Sequence, residues 1–490
     1  MSKRYICVAL ASILCLLQCG CASQAEKETT VESALPAEVY ADISDDTMEV
    51  MAEDIAISRM EEVDYDGYTF RVLTTDTQVN NVFYHEVFNE GETGEPVVDA
   101  VYRRNLALEE KYNIKVCGKY SGVFDYSTFA KSVPSGDDMY DVVMANQESA
   151  LQFAIKGYLS PLNKMENICL DEAWWQQSYN SQATMLHNLY FGISAANLAS
   201  FESVPVLFFN KQMVQNLALE APYQKVYDGK WTFDALMEYC SLVSQDLNGD
   251  GKYYDEDMYG LLVNSYAALT FIYGGDFAFS EKDEEDAPVF GYDEAFVTYF
   301  QKIVSMLTEN NTVMYGEKMS NRTQSLYIAF KEDRGLFYNE MLTYANNLRD
   351  MDTDFGIVPM PKRDEMQEHY TGFYHFASSS IMAIPVTVSN VDRTSHLTED
   401  MAYYSRQYVY PAYIENSVKT KSARDEMSAD MVDYALAHIS SDILFSHDIT
   451  MQMRTLFTKG STDVASKLES LRSSQDTRLR NNMEKLREIQ

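Results

Sequence analysis

The chain has 490 residues, 46% of them hydrophobic and 23% charged, and its 39 basic against 74 acidic residues give a formal net charge of −35. This length exceeds what one ordinary hydrophobic core accommodates, so two domains are expected. The negative charge excludes nucleic-acid binding, because such a surface repels phosphate backbones and releases no counterions from them.

The first residues have the composition of a secretory signal. Two basic residues precede an apolar stretch from Tyr5 to Leu17, which is shorter than the roughly 20 residues that cross a bilayer. The segment 18–23 then resembles a bacterial lipoprotein box, with Gly20 just before the acceptor Cys21. Cys19 is a neighbouring alternative acceptor, and a plain signal peptide with incidental cysteines is the other interpretation.

We predict a signal peptide over residues 1–20, followed by a lipidated Cys21 and an acidic tether up to residue 65. Because two or more acyl chains anchor a protein stably, the chain is expected to be secreted and lipid-anchored to the outer face of the cell membrane. Beyond the tether only Cys117, Cys169 and Cys240 remain. Their odd number and wide spacing do not describe a disulfide framework or a metal cluster.

The body of the chain alternates strand and helix patterns. The first strands and helices are predicted over residues 68–75, 98–112, 113–117 and 141–144, with a helix from there to Gly157. Further strands are predicted over 190–194, 205–209, 335–338, 355–358 and within 370–385, and a surface helix pair near the end, from residue 464 to 486. This alternation predicts an α/β protein with largely parallel sheets and helices on both faces.

Polar and aromatic side chains near the ends of these strands are candidates for ligand binding, since ligands bind beyond the carboxyl ends of parallel strands. Amides, carboxylates and aromatic rings are suited to sugar hydroxyls and ring faces. For each of them a helix cap or a packing residue is the alternative interpretation. The candidates are Asn146, Glu148, Asn197, Asn339, Glu340, Tyr344 and Tyr374.

Four stretches together resemble the family 1 extracellular solute-binding proteins, which include maltose-binding protein. These are Val206–Gln212, Gly229–Leu236, Asp246–Leu261 and Asp352–Pro361, and in the second of them Thr232 is placed to cap a helix. The resemblance implies an α/β, two-lobed, type II periplasmic-binding-protein-like fold with discontinuous lobes and a hinge cleft. Lobe one is predicted over 66–185 plus 366–395, and lobe two over 186–365 plus 396–490 with C-terminal helices.

The resemblance also implies a function: an extracellular solute-binding lipoprotein of an ABC importer, which captures a polar solute, with a carbohydrate expected first, by hinge closure. The expected partners are a sugar or oligosaccharide and the membrane permease, with the protein a monomer, without an organic cofactor and without enzymatic activity. A non-transport surface glycan-binding or sensor-input protein is the alternative, because fold does not fix function. A glycoside hydrolase is the third reading, although no G-x-S-x-G, H-E-x-x-H or P-loop motif occurs.

One loop has the spacing of a calcium site. Oxygen donors fall at positions 1, 3 and 5 of a twelve-residue loop, with a carbonyl at position 7 and a carboxylate at position 12. The predicted ligands are Asp246, Asn248, Asp250, the carbonyl of Lys252, and Asp257. We therefore predict a structural Ca²⁺, with an Asx-rich surface turn as the alternative.

Overall fold

The computed structural model describes residues 58–75, 78–79, 82–83, 85–309, 311–375, 377–414, 426–444 and 447–489. The predicted signal peptide, the lipidation site at Cys21 and the tether up to residue 57 lie outside the described residues. Within the described part of the chain, no helix combines the length and apolar character needed to cross a membrane.

Sheet 1 has five strands in the order Ile114–Tyr120, Tyr68–Thr74, Val142–Ala145, Ile381–Pro385 and Leu159–Ser160. The first three are parallel, and the strand from residue 381 is antiparallel to both of its neighbours. All four residues of Val142–Ala145 are buried, as expected for a strand covered on both faces. The predicted opening strands of the body are confirmed here.

Sheet 2 has five strands in the order Val313–Tyr315, Tyr259–Val263, Gly335–Met341, Pro205–Asn210 and Phe355–Pro359. The first three are parallel, and the strand from Pro205 runs antiparallel to both of its neighbours. Proline suits its first position, where a missing N–H does not break the ladder. The strands predicted near residues 205, 335 and 355 are therefore confirmed, within a mixed rather than wholly parallel sheet.

Helices cover the two sheets, and short two-stranded ribbons form outside them. The longer helices are Pro96–Tyr112, Gln147–Ile155, Phe233–Ser241, Ser265–Gly274, Glu294–Glu309, Arg322–Lys331, Val391–Tyr404, Glu426–Ala437, His447–Lys459 and Val464–Ile489. The shorter ones are Ser127–Ser132, Gln177–Gln182, Leu198–Glu202, Lys211–Asn216, Pro222–Tyr227, Ala345–Leu348 and Tyr410–Tyr413. The ribbons pair Ser280–Lys282 with Pro288–Phe290, Gly372–Phe373 with Ile439–Ser440, and Gln78–Val79 with Val82–Phe83.

Two of the sequence motifs contact each other in the core beside sheet 2. Trp231 is fully buried and its indole N–H donates to the carbonyl of Pro359 at 2.9 Å. The backbone of Phe233 donates to the carbonyl of Lys362 at 2.7 Å. The Thr232 hydroxyl accepts the backbone N–H of Ala235 at 3.2 Å, which confirms the predicted cap. The motifs are thus parts of one packing unit.

The prediction of a strand over 190–194 was wrong. Only isolated bridges form there, including one in which Gly192 and Met382 exchange both backbone hydrogen bonds at 2.9 Å. The next residue, Ile193, has both of its backbone groups paired with the side-chain amide of Asn180, at 2.8 and 3.0 Å. A side chain therefore takes the place of a neighbouring strand.

Two other segments differ from expectation. The predicted helix pair at the end is one helix, Val464–Ile489, with buried apolar side chains spaced from Val464 to Leu486. It packs against the Gln147–Ile155 helix of sheet 1 as well as the Glu294–Glu309 helix of sheet 2. The Val391–Tyr404 helix, which starts in predicted lobe one and continues into predicted lobe two, packs throughout against the Pro96–Tyr112 helix beside sheet 1. The lobe limits stay predictions.

Candidate functional site

A cavity of about 650 Å³ lies at the carboxyl ends of the parallel strands Tyr259–Val263 and Gly335–Met341. This volume is within the range of small-molecule sites. Polar and aromatic side chains dominate its lining. They are Glu148, Asn264, Tyr266, Thr270, Thr323, Asn339, Glu340, Tyr344 and His375.

Asn264 organises one wall of the cavity. It directly follows the strand Tyr259–Val263, and its side-chain oxygen accepts the backbone N–H groups of Tyr266 and Ala267, both at 2.9 Å. This cap starts the helix Ser265–Gly274, whose first turns carry Tyr266 and Thr270 into the lining. The amide nitrogen of Asn264 is left to donate to Glu340, at 3.4 Å.

Glu340 lies near the end of its strand and is 8% exposed. Besides Asn264, the one donor to its carboxylate among the described residues is the backbone N–H of Met341, at 3.2 Å. Burial raises the pKa of Glu340 to about 7. No Lys, Arg or His of the described residues forms an ion pair with it. The neighbouring Asn339 is fully buried and donates to the carbonyl of Val206 at 3.1 Å.

Elements of sheet 1 also border the cavity. Glu148 is exposed and lies in the first turn of the helix Gln147–Ile155, which follows the strand Val142–Ala145. His375 lies on the segment that returns from sheet 2 to the strand Ile381–Pro385. Burial lowers the pKa of His375 to about 4, so its imidazole is neutral at pH 7. The cavity is therefore bordered by elements adjoining both sheets.

Tyr266 provides an aromatic surface held by a charged neighbour. The guanidinium carbon of Arg454 lies 3.9 Å from the ring centroid, in a cation–π contact. Arg454 also donates to the Ser265 hydroxyl at 2.5 Å and pairs with Glu317 at 3.3 Å. Its charge is thus balanced by Glu317 behind the ring. The ring of Tyr344 packs edge-on against Tyr338, with centroids 6.3 Å apart.

The cavity brings together four of the seven predicted ligand residues, namely Glu148, Asn339, Glu340 and Tyr344. The other three have structural contacts elsewhere. Asn146 caps its helix by accepting the backbone N–H of Ser149 at 2.9 Å. Asn197 is fully buried, and its side-chain oxygen accepts the backbone N–H of Ser194 at 2.9 Å. Tyr374 is 1% exposed and packs 5.6 Å from the ring of Tyr179. Ligand binding by any of the seven stays a prediction.

Five polar or aromatic lining residues were missed from the sequence: Asn264, Tyr266, Thr270, Thr323 and His375. A signal for Asn264 was present, because an Asn after a short buried strand and before a helix occurs both there and at Asn146.

The loop predicted to bind calcium is shaped by hydrogen bonds from its own backbone. The carboxylate of Asp246 accepts the N–H groups of Gly249 and Gly251 at 2.6 and 2.7 Å. Asp257 is fully buried and accepts those of Leu247 and Tyr254 at 2.9 and 2.8 Å. The described residues hold no group of three or more His, Cys, Asp or Glu placed to bind a metal. Calcium binding stays a prediction.

No protein-family model matches the chain, and no curated protein matches it. Solved structures do match. A sugar transporter protein of Rhizobium etli in an open conformation has a TM-score of 0.57 at 12% identity, covering 86% of this chain and 100% of its own. RafE of Streptococcus pneumoniae, in its apo form, has a TM-score of 0.55 at 12% identity, covering 84% of this chain and 98% of its own.

An ABC substrate-binding protein of Listeria monocytogenes in complex with cycloalternan matches with a TM-score of 0.53 at 12% identity, covering 84% of this chain and 99% of its own. The shared architecture confirms the predicted fold class. The chain has the two-lobed α/β fold of the substrate-binding proteins of ABC sugar transporters.

Proposed function

We propose that the chain is an extracellular solute-binding lipoprotein of an ABC importer, and that it captures a carbohydrate in the cavity without altering it. The observation that carries this proposal is the cavity itself, at the carboxyl ends of parallel strands and bordered by both sheets. Its aromatic rings, amides and hydroxyls are the groups that contact sugar ring faces and hydroxyls. The Listeria neighbour was solved with a cyclic oligosaccharide.

The proposed closure of the two lobes around a bound sugar follows from the positions of the lining residues. Glu148 comes from an element of sheet 1, whereas Asn264 and Glu340 come from sheet 2. A sugar that contacts both sides stabilises the closed arrangement relative to an open one, so binding and closure are coupled. A membrane permease would then recognise the closed form.

The remaining parts of the proposal rest on the sequence. They are signal cleavage, lipidation of Cys21, attachment to the outer face of the cell membrane, a monomeric state and Ca²⁺ in the Asp246–Asp257 loop. Replacing Cys21 with Ala should release the protein from cells into the medium. Calcium should raise the melting temperature relative to chelator, and Asp246→Ala should abolish that difference.

The central test is a thermal-shift screen of the chain without residues 1–21 against neutral oligosaccharides, amino acids and peptides. A ligand at a hundred times its Kd contributes about 2.7 kcal/mol, which gives a rise of a few degrees. Tyr266→Ala should remove the response, whereas Tyr254→Ala, an exposed tyrosine outside the cavity, should keep it. Stabilisation by peptides alone would refute carbohydrate binding, and chromatographic detection of sugar cleavage would refute the absence of chemistry.

Uptake distinguishes transport from the alternative of a surface glycan-binding or sensor protein. Cells lacking the gene should lose accumulation of the stabilising sugar, and the wild-type gene should restore it. Unchanged uptake, with loss only of sugar retention at the surface or of a transcriptional response, would favour the alternative.

A further inference from the structure

The charged groups of the cavity lining are all acidic. Glu148 and Glu340 supply two carboxylates, and His375 is neutral at pH 7. No Lys or Arg lies among the described residues that line the cavity. The nearby Arg454 contacts the ring of Tyr266, and its charge is balanced by Glu317. Above pH 7, where Glu340 is ionised, a ligand therefore meets two negative groups and, among the described lining residues, no positive one.

Glu340 has unused acceptor capacity. An ionised carboxylate offers about four lone-pair positions, and Glu340 has two partners, at 3.2 and 3.4 Å. Both distances are long for bonds to a charged oxygen, which are usually about 2.7–2.9 Å. Because a buried carboxylate is unfavourable without donors, a ligand that supplies them gains from this residue.

We propose that Glu340 is the specificity-determining residue of the cavity: it accepts hydrogen bonds from a saccharide bearing hydroxyl or ammonium donors and no anionic group. Uronates and sugar phosphates are rejected, because their negative charge would be buried beside two carboxylates. This inference rests on the proposed function and narrows its substrate class to neutral or basic saccharides.

The test uses the chain without residues 1–21 on a glycan array that holds neutral, amino-sugar, uronate and phosphorylated saccharides. The strongest binders are then titrated by calorimetry. The proposal expects them to be neutral or amino saccharides, with binding to matched uronates at least 100-fold weaker. A uronate or phosphosugar among the strongest binders would overturn it while leaving the proposed function intact. No binding to any saccharide would overturn both.

Glu340→Gln keeps the shape of the side chain and removes its charge. Affinity should fall about 100-fold for an amino saccharide, or about 10-fold for a neutral one, since hydrogen bonds to charged groups are the stronger ones. Glu238→Gln, an exposed carboxylate outside the cavity, is the matched control and should leave binding unchanged. Circular dichroism checks that Glu340→Gln is folded. If the folded variant binds with unchanged affinity, Glu340 does not determine the specificity of the cavity.

Discussion

Asp400 and Glu399, two buried carboxylates beside sheet 1, each accept hydrogen bonds from three donors among the described residues, whereas Glu340 in the cavity accepts them from two. Asp400 accepts the Tyr112 hydroxyl at 2.6 Å and pairs with Lys111 at 2.7 Å. Glu399 accepts the indole N–H groups of Trp174 and Trp175 at 2.7 and 2.9 Å.

Within the described part of the chain, Glu340 accepts two long hydrogen bonds and pairs with no cation. Burial raises the pKa of Glu399 and of Glu340 alike to about 7. The pKa therefore does not separate a carboxylate that holds the fold together from one available to a ligand. The number and length of the hydrogen bonds do separate them.

Asp400→Ala should give the largest loss. Removing this carboxylate leaves Lys111 and the Tyr112 hydroxyl without their buried partner, and breaking such a pair costs about 3–5 kcal/mol. Urea denaturation followed by circular dichroism measures the change. Asp392→Ala, an exposed position on the same helix, should lose less than about 1 kcal/mol. Equal effects of the two substitutions would contradict a structural role for the Asp400 cluster.

The ligand-free chain should lose stability between pH 6.5 and pH 8, on the order of 2–3 kcal/mol in total for three buried carboxyls. Below pH 6.5 the depressed pKa of His375 opposes them, because the unfolded chain then binds the extra proton. Burial raises the pKa of Glu86, Glu340 and Glu399 from 4.5 to about 7. The folded chain therefore binds more protons than the unfolded chain in this window. Their contribution is fully present below pH 4.5 and is lost as pH rises through 7. Urea midpoints across the range check it, and a midpoint that rises towards pH 8 would be inconsistent with this sign.

Glu399→Gln should destabilise the chain by about 1–2 kcal/mol. A carboxamide has one oxygen, so one of the two indole N–H groups that now bind Glu399 loses its partner in a buried site. Urea denaturation at pH 8, where Glu399 is ionised, provides the value. The near-ultraviolet circular dichroism of the tryptophans reports whether their surroundings change, and an unchanged midpoint would show that the indoles find other acceptors.

Glu340→Gln should give the smallest effect, and with the opposite sign. At pH 8 the substitution removes a desolvated charge and should stabilise the ligand-free chain by about 1 kcal/mol. At pH 5.5 the wild-type carboxyl is protonated, so the difference should vanish. Parallel urea titrations at the two pH values measure it. A clear destabilisation at pH 8 would show that Glu340 stabilises the fold, as Asp400 and Glu399 are expected to do.

Much of this architecture can be predicted from the sequence, because buried strands rich in Val, Leu and Phe are recognisable and side chains just past them are natural site candidates. That reasoning found Glu148, Asn339, Glu340 and Tyr344. It missed Asn264 and Tyr266, whose strand is five residues long and follows directly on the calcium-like loop. At Gly260 in that strand, a Cβ would lie 2.3 Å from the Cα of Cys240, a closeness that only the folded chain reveals.

The direction of a single side chain was harder to predict. Asn197 and Tyr374 lie near predicted strands, but their orientation depends on packing between segments far apart in the sequence. Tyr374, for example, contacts both Tyr179 and Phe201. A pattern read along the chain contains nothing about such contacts.

The strand Ile381–Pro385 completes sheet 1 between Val142–Ala145 and Leu159–Ser160, although more than two hundred residues separate it from either neighbour. While the polypeptide is being synthesised, Val142–Ala145 therefore has an unpaired, apolar edge until residue 385 becomes available. Such edges pair readily with other chains, and distant pairings form slowly. Newly made molecules should therefore stay prone to pairing with other chains for longer than a protein whose lobes are continuous in sequence.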